Sequence, residues 1–285
     1  MPALPARRGF DTTDPLIIRT LRREYRIHLP DDASREACRF VEIKPEIEGF
    51  ELEPFDIVVE RKGGFLRCRL PHGALLEGAA SRLISHLHVM MHWDNRQSHG
   101  AYPMMHGATM IIGGRRLLIV GGKTNGKTTL SLYLTLRGHR FEGDEHLILL
   151  PQGVIARPRT LRVKQGSFPL VGLSPDDFPS VTAWYGETLH AISPVALGQD
   201  WIIRQGRLDG VVFLAANHGG RSVLGRIGVD EAFAGLMAQC YFTGRSPAAE
   251  AARLRVLAAT TPAYSLRVGS LPEAETHLVN SHRLD

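Results

Sequence analysis

The stretch that decides the fold reads Gly121-Gly122-Lys123-Thr124-Asn125-Gly126-Lys127-Thr128. It matches in full the phosphate-loop pattern, in which Gly and four variable residues precede Gly-Lys-Ser or Gly-Lys-Thr. In such a loop the backbone N–H groups surround phosphate oxygens, the lysine reaches the β- and γ-phosphates, and the final hydroxyl binds Mg²⁺. The pattern therefore predicts an ATP and Mg²⁺ site formed by residues 121–128 together with Thr129.

The segments on either side of the loop support this interpretation. An apolar run at 117–120 predicts a buried strand that leads into the loop. Residues 129–136 can form a helix whose first turn faces the phosphates, and Gly138 is a suitable stop for it. A chance glycine-rich turn is disfavoured because strand, loop and helix agree.

Composition is typical of a globular protein with a substantial core. The chain has 285 residues, of which 44% are hydrophobic and 22% charged. Its net charge of +5 suits an anionic ligand such as a nucleotide and does not by itself argue for nucleic acid. We therefore expect a nucleotide partner and no nucleic-acid partner.

Cysteine usage and hydropathy favour the cytoplasm. Cys38, Cys68 and Cys240 are few and far apart, which indicates neither a disulfide framework nor a zinc ribbon. The first residues lack the apolar segment of a secretory signal, and no run approaches the ~20 apolar residues needed to span a bilayer. We expect a cytoplasmic protein with no membrane partner.

Two regions are predicted, divided by a polar segment that contains Gly and Pro at 95–103. Residues 1–100 form an N-terminal α+β region that could specify the substrate, with a hairpin over 57–70 and helical spacing over 73–93. Residues 101–285 form the phosphate-loop domain, which opens with a hairpin over 105–120.

The second region mixes strand and helix patterns without a regular alternation. Strands are predicted at 146–150, 154–156, 161–163, 208–215 and 263–268. Helices are predicted from Val229 to about Tyr241 and from Pro247 to Ala259. The fold class is therefore α/β with a mixed, partly antiparallel sheet.

An acidic pair follows the loop closely. Asp144 and Glu145 lie seventeen and eighteen residues after Lys127, behind Gly143. A strand that starts there can lie beside the loop's own strand and bring a carboxylate next to Thr128, where phosphoryl transfer requires a Mg²⁺ ligand and a proton acceptor. The alternative is a solvated pair in a turn. Motor and transporter ATPases place this acid much further along the chain.

These motifs together resemble the C-terminal catalytic domain of HPr kinase/phosphorylase. The resemblance spans residues 104–150, and its motifs are His106-Gly107, the loop, Gly138-His139 and Gly143-Asp144-Glu145. The loop and its continuation also look like ATP-dependent phosphoenolpyruvate carboxykinase. The resemblance implies a P-loop kinase core of this type, a tendency to form homo-oligomers, and relatives associated with peptide modification.

The resemblance also implies roles for individual residues. His106 would orient the acidic pair, Asp144 would accept the substrate's proton and contact Mg²⁺, and Glu145 would be a second metal contact beside Thr128. Glu145 departs from the family, which has Asp there. The loop also departs at Lys123 and Asn125, and no phosphorylase signature is found, which argues against the reverse reaction.

Two further features have alternative interpretations. Five histidines between positions 86 and 106 could converge on a metal ion, but satisfied or surface histidines are favoured for all except His106. Lys164 could contact an anion or be a surface lysine.

The predicted function is that of an ATP- and Mg²⁺-dependent kinase that phosphorylates a hydroxyl group. Lys127 and the loop amides hold the phosphates, and Asp144 with His106 activates the acceptor. The expected acceptor is Ser or Thr of a peptide or small protein. A small-molecule hydroxyl kinase and a non-catalytic nucleotide-binding switch are the alternatives.

Overall fold

The computed structural model describes residues 14–70, 73–98, 102–183, 186–241 and 246–284. Over these ranges the chain is mixed α/β, as predicted. The elements up to residue 98 are β1 (Leu16–Arg19), β2 (Arg23–His28), α1 (Asp32–Cys38), β3 (Glu46–Glu48), β4 (Glu53–Lys62), β5 (Phe65–Arg69), β6 (Leu75–Gly78) and α2 (Ala80–Ser98).

The later elements build the sheets around the loop. The strands are β7 (Met104–Met105), β8 (Gly107–Ile112), β9 (Arg115–Val120), β10 (Arg140–Gly143), β11 (Leu147–Leu150), β12 (Gly153–Ala156), β13 (Leu161–Lys164), β14 (Ser180–Thr182), β15 (Thr188–Ile192), β16 (Ile202–Arg204), β17 (Gly210–Ala216), β18 (Val223–Arg226), β19 (Cys240–Tyr241) and β20 (Ala263–Val268). The helices are α3 (Lys127–Leu136), α4 (Phe168–Val171), α5 (Val229–Ala238), α6 (Pro247–Thr260) and α7 (Leu271–Val279).

A β-hairpin delivers the chain into the phosphate loop. Strands β8 and β9 pair antiparallel, with Ile112 opposite Arg115. The turn between them contains Gly113 and Gly114, whose φ angles of 58° and 81° suit glycine. The predicted hairpin is confirmed, although a break at His106 separates β7 from β8.

The loop's strand lies inside a mixed six-stranded sheet. Its order is β10-β8-β9-β17-β20-β18. Strand β9 pairs parallel with β17 and β17 pairs parallel with β20, while the remaining pairs are antiparallel. Every residue from Leu117 to Val120 is fully buried, which explains the unbroken apolar run.

The predicted position of the acidic pair in the sheet is wrong in one respect. Asp144 follows the end of β10, which pairs with β8, and the neighbours of β9 are β8 and β17. The next strand, β11, belongs to a separate four-stranded sheet of order β12-β11-β7-β19. The carboxylate therefore reaches the loop from the turn after a strand, and not from a strand that lies beside β9.

Helix α3 begins directly after Gly126, the last glycine of the loop, and its apolar side is buried. Gly126 is the N-cap with φ 84°, a left-handed conformation that favours glycine. Leu130, Leu132 and Leu134 are fully or almost fully buried. Gly138, at φ 91°, follows the C-terminus and ends the helix as predicted.

The N-terminal region contains its own five-stranded sheet, of order β1-β2-β4-β5-β6. The predicted hairpin is confirmed, because β4 and β5 pair antiparallel. The helix predicted from residue 73 is wrong at its start, since Leu75–Gly78 pairs with β5 as a strand. The helix runs from Ala80 to Ser98 and so extends into the segment that was expected to be a linker.

Contacts join the two predicted regions. Strand β3 pairs parallel with β16, and buried residues from both regions form one hydrophobic cluster. The division at residue 100 stays a prediction, and residues 1–13 lie outside the described part of the chain.

Further along the chain the predicted strands are confirmed as β11, β12, β13, β17 and β20, and the second helix as α6. Helix α5 ends at Ala238, earlier than predicted, because Cys240 and Tyr241 pair with β7. Cys38, Cys68 and Cys240 are free thiols. Within the described ranges, no helix is long and apolar enough to cross a membrane.

Candidate nucleotide site

The phosphate loop is fixed by close contacts with strand β17. The Asn125 side chain donates a hydrogen bond from Nδ2 to the Leu214 carbonyl at 2.9 Å. A Cβ on Gly121 would lie 2.7 Å from the same carbonyl oxygen, so only glycine fits there without a shift of the backbone. Thr124 has a left-handed φ of 70°. The backbone of the loop therefore has a defined course that leads into α3.

Lys127 is folded back onto the loop. Its Nζ donates to the carbonyls of Gly121 at 2.7 Å and Gly122 at 3.1 Å. The side chain is buried, and burial lowers its pKa, while the Asp144 carboxylate acts in the opposite direction. The ammonium group therefore lies over the backbone of the loop.

Thr128 and Asp144 are in direct contact. The Thr128 hydroxyl donates to Asp144 Oδ2 at 2.9 Å, and Asp144 Oδ1 accepts from the Glu145 backbone N–H at 2.8 Å. The sequence predicted this juxtaposition, and the structure confirms it. Thr128 lies at the start of the helix after the loop, and Asp144 follows β10. Their hydroxyl and carboxylate oxygens are ligands of the kind that Mg²⁺ prefers.

Asp144 lies in an enclosed environment with several positive groups near it. Its side chain is almost fully buried, and burial raises its pKa. The hydrogen bond from Thr128 and the charges of Arg159 and Lys127 act against that shift, as does His106 when its ring is protonated. A cation in contact with Asp144 would favour its ionised form. The ionised carboxylate is suited to bind a metal ion or to accept a proton.

Glu145 is held in an unusual backbone conformation. Its φ of 77° is rare for a residue with a side chain, and such values cluster at functional sites. The Glu145 carboxylate forms an ion pair with Arg159. This carboxylate is therefore already paired with a positive group of the protein itself. Its predicted role as a metal ligand stays a prediction.

His106 lies at the break between β7 and β8 and is held by α5's C-terminal end. Its Nδ1 donates to Gln239 Oε1 at 3.1 Å, and its backbone N–H donates to the Gln239 carbonyl. Burial lowers its pKa, and Lys127 adds to that effect, while Gln239 and Asp144 oppose it. The neutral ring therefore has Nε2 as its acceptor nitrogen. The predicted role of His106 in orienting the acidic pair stays a prediction.

A cleft of about 540 Å³ opens beside the loop. Thr129 lines it, and the Thr129 and Ser167 hydroxyls lie 2.7 Å apart. Lys164 also lines it and forms an ion pair with Glu187 at 2.7 Å. The lining residues are Thr124, Gly126, Lys127, Thr128, Thr129, Arg162, Lys164, Gln165, Gly166, Ser167, Gly186, Glu187 and Thr188. A nucleotide held by the loop would have this space for the rest of its structure.

The structure brings most of the predicted site residues together. Residues 121–129 form one continuous loop and helix start, with Lys123 on the exposed side. Asp144 joins Thr128 directly, and His106 and Lys127 are near enough to influence its pKa. The sequence did not identify Arg159 or Gln239, although a run of arginines at 157, 159 and 162 shortly after the acidic pair was a signal for the first.

The histidine-rich segment does not form a metal site among the described residues, where no group of three potential ligands converges. His86 bonds to the carbonyl of Arg82 in its own helix. His99 lies outside the described residues.

No family model matches this chain, and no curated protein matches it. Among solved structures, the HPr(Ser) kinase/phosphatase from Coxiella burnetii is similar with 16% identity and a TM-score of 0.34; the match covers 64% of this chain and 96% of that one. A likeness at this level decides neither fold family nor function. The function therefore has to be inferred from the site itself.

Proposed function

We propose that the protein is an ATP- and Mg²⁺-dependent kinase that transfers the γ-phosphoryl group to a hydroxyl, with Ser or Thr of a peptide or small protein as the acceptor. The observation that carries this proposal is the hydrogen bond from Thr128, the last residue of a complete phosphate loop, to the buried carboxylate of Asp144. Phosphoryl transfer requires a phosphate cradle, a metal site and a proton acceptor close together.

The loop and the start of α3 fit the phosphates. Its backbone and the N-terminus of α3 form a site that favours anions, and Lys127 adds a positive charge there. Gly121 permits the close approach of the loop to β17, and this contact fixes the position of the loop backbone that would surround the phosphates. In this proposal, binding orients the γ-phosphate toward Asp144.

The oxygen atoms of Thr128 and Asp144 fit Mg²⁺, and Glu145 is the further candidate ligand. When bound, Mg²⁺ would supply positive charge that stabilises the transferred phosphoryl group. Thr128 contributes its hydroxyl oxygen, and Asp144 contributes a carboxylate that burial protects from competing water.

Asp144 is also the proposed proton acceptor. Burial raises its pKa, which brings its affinity for a proton closer to that needed by a general base. The acceptor's hydroxyl proton would pass to an Asp144 carboxylate oxygen as the hydroxyl oxygen bonds to the γ-phosphorus. The bond from that phosphorus to the β,γ-bridging oxygen would break at the same time, and ADP would leave. His106, neutral and with Nδ1 held by Gln239, would keep Nε2 available on the same side of the site.

The experiment measures MgADP affinity by calorimetry and the transfer of label from γ-labelled ATP to a degenerate Ser/Thr peptide mixture. Asp144→Asn is expected to keep nucleotide binding and to lower transfer by about 10²–10⁴-fold. Asp209→Asn, which changes a carboxylate just before β17, at the end of that strand away from the loop, is the control.

Four outcomes are separable. Labelled peptide in the wild type and its loss in Asp144→Asn support the proposal. Label on small hydroxyl compounds but never on peptides would shift the acceptor class, and tight nucleotide binding without any transfer would support the switch. Absence of MgADP binding at millimolar concentration would overturn the proposal.

A further inference from the structure

Arg162 is a buried arginine at the edge of the candidate nucleotide site. It lies in β13 and lines the cleft beside the phosphate loop, together with Lys127 and Thr128. Only 8% of its surface is exposed. A guanidinium group removed from water in this way is costly unless its donors are satisfied.

One edge of the guanidinium is held by the N-terminal region. Its Nη1 donates to the Phe40 carbonyl at 2.7 Å, and its central carbon lies 3.8 Å from the centre of the Phe40 ring. Phe40 is itself buried. A residue 122 positions earlier in the chain therefore fixes the orientation of an arginine in the cleft.

The other edge has no partner among the described residues. Both Nε and Nη2 of Arg162 are enclosed and make no hydrogen bond. Arg116 provides the comparison within the same molecule, since its Nε and Nη2 donate to the two oxygens of Glu142 at 2.9 and 2.8 Å. Arg162 thus leaves unpaired the two-donor edge that matches a carboxylate or a phosphate.

Two charged side chains near Arg162 are in ion pairs. Lys164 pairs with Glu187, and Arg159 pairs with Glu145. Burial lowers the pKa of Arg162 well below its ordinary value, and the charge of Arg159 adds to this. An oxyanion bound to the unpaired edge would satisfy two donors and offset the buried charge.

We propose that Arg162 binds an oxyanion in the cleft beside the phosphate loop, a phosphate or carboxylate group of a substrate, and that Phe40 positions it for this. The identification of that group as part of a substrate rests on the proposed kinase function. The N-terminal region then contributes to substrate binding through the orientation of one arginine.

The test compares Arg162→Lys, which keeps the charge but loses the two-donor edge, with the wild-type chain. Arg204→Lys is the matched control, because Arg204 pairs with Glu48 on a partly exposed surface and does not line the cleft. Calorimetry gives the affinities for three probes. These are MgADP, Mg²⁺ with a non-hydrolysable ATP analogue, and inorganic phosphate added to the MgADP complex. Thermal melts show that each variant is folded.

Arg162→Lys is expected to weaken at least one probe by about tenfold or more, since bonds to charged groups carry such energies. If only the ATP analogue binds more weakly, Arg162 contacts the terminal phosphate. If both nucleotides bind more weakly, Arg162 contacts an inner phosphate. If only inorganic phosphate binds more weakly, Arg162 contacts an oxyanion of the acceptor. Phe40→Leu, which keeps the backbone carbonyl and removes the ring, is expected to weaken the same probe to a smaller extent.

The proposal is overturned if folded Arg162→Lys binds all three probes as tightly as Arg204→Lys does. That result leaves the kinase proposal standing, provided that MgADP binds. If MgADP fails to bind the wild type, the kinase proposal fails. Inorganic phosphate alone then tests Arg162: weaker binding in Arg162→Lys than in Arg204→Lys supports the oxyanion site, and equal or absent binding overturns it.

Discussion

The hydroxyl of Thr128, the second residue of α3, donates a hydrogen bond to Asp144 Oδ2 at 2.9 Å, and the two residues lie sixteen positions apart in the chain. The second oxygen of the same carboxylate is held by the Glu145 N–H. Asp144 is therefore oriented from both sides before any ligand arrives. Such preorganisation lowers the cost of assembling a metal site.

Removal of the Thr128 hydroxyl is expected to reduce the Mg²⁺-dependent part of nucleotide affinity. Thr128→Ala lacks the oxygen that would bind the ion, so its ADP affinity should gain much less from Mg²⁺ than that of the wild type. Thr128→Ser keeps the oxygen and is the control. Calorimetry with Mg²⁺ and with a chelator measures the difference, and an equal Mg²⁺ effect in all three proteins would contradict the assignment.

Asp144→Asn is expected to raise the melting temperature of the ligand-free protein at pH 7. Burial raises the pKa of Asp144, so the folded state binds its proton more tightly than the unfolded state does. The resulting stabilisation is present at low pH and is lost as the pH rises through the folded-state pKa. The neutral amide avoids that loss, and its advantage should shrink as the pH is lowered. A lower melting temperature for Asp144→Asn at pH 7 would be inconsistent with this.

Gly121→Ala is expected to destabilise the fold and Gly122→Ala is not. A Cβ at Gly121 would lie 2.7 Å from the Leu214 carbonyl oxygen, whereas the nearest atom to a Cβ at Gly122 is 3.5 Å away. Forcing an extra methyl group into a packed contact costs about 1–3 kcal/mol. Urea unfolding of the two variants gives the comparison. Equal stabilities would show that the loop does not need its close approach to β17.

Gln239→Glu is expected to move the acid limb of the proposed kinase activity to higher pH. Burial lowers the pKa of His106, so the ring stays neutral below its ordinary titration range. A carboxylate in place of the amide that bonds Nδ1 would favour the charged ring and raise that pKa. Gln239→Met removes the bond without adding charge and should not shift the limb upward. An unmoved limb in Gln239→Glu would show that His106 need not be neutral.

Local signals accounted for the part of the fold around the loop. The turn at Gly113 and Gly114, the buried strand before the loop and the helix after it all depend on residues close in sequence, and each was predicted correctly. The apolar spacing of Leu75–Gly78 continues into α2 and so predicts a helix. The segment forms a strand because it pairs with β5, and such pairing is not visible in local periodicity.

The site shows the same division. Thr128 and Asp144 could be joined from their spacing, because one helix and one strand separate them. The partner of His106 lies 133 residues away, and that of Arg162 lies 122 residues away. Contacts at such separations depend on how the sheets pack. The sequence therefore predicts the chemistry of the loop better than the residues that position its neighbours.

The most direct test is a crystal structure with Mg²⁺ and a non-hydrolysable ATP analogue. The phosphates should lie in the loop 121–128, with Lys127 Nζ moved from the Gly121 and Gly122 carbonyls to a phosphate oxygen. Mg²⁺ should lie about 2.1 Å from Thr128 Oγ1, with Asp144 beside it. Nucleotide bound elsewhere, or Mg²⁺ held without Thr128 and Asp144, would contradict the kinase assignment.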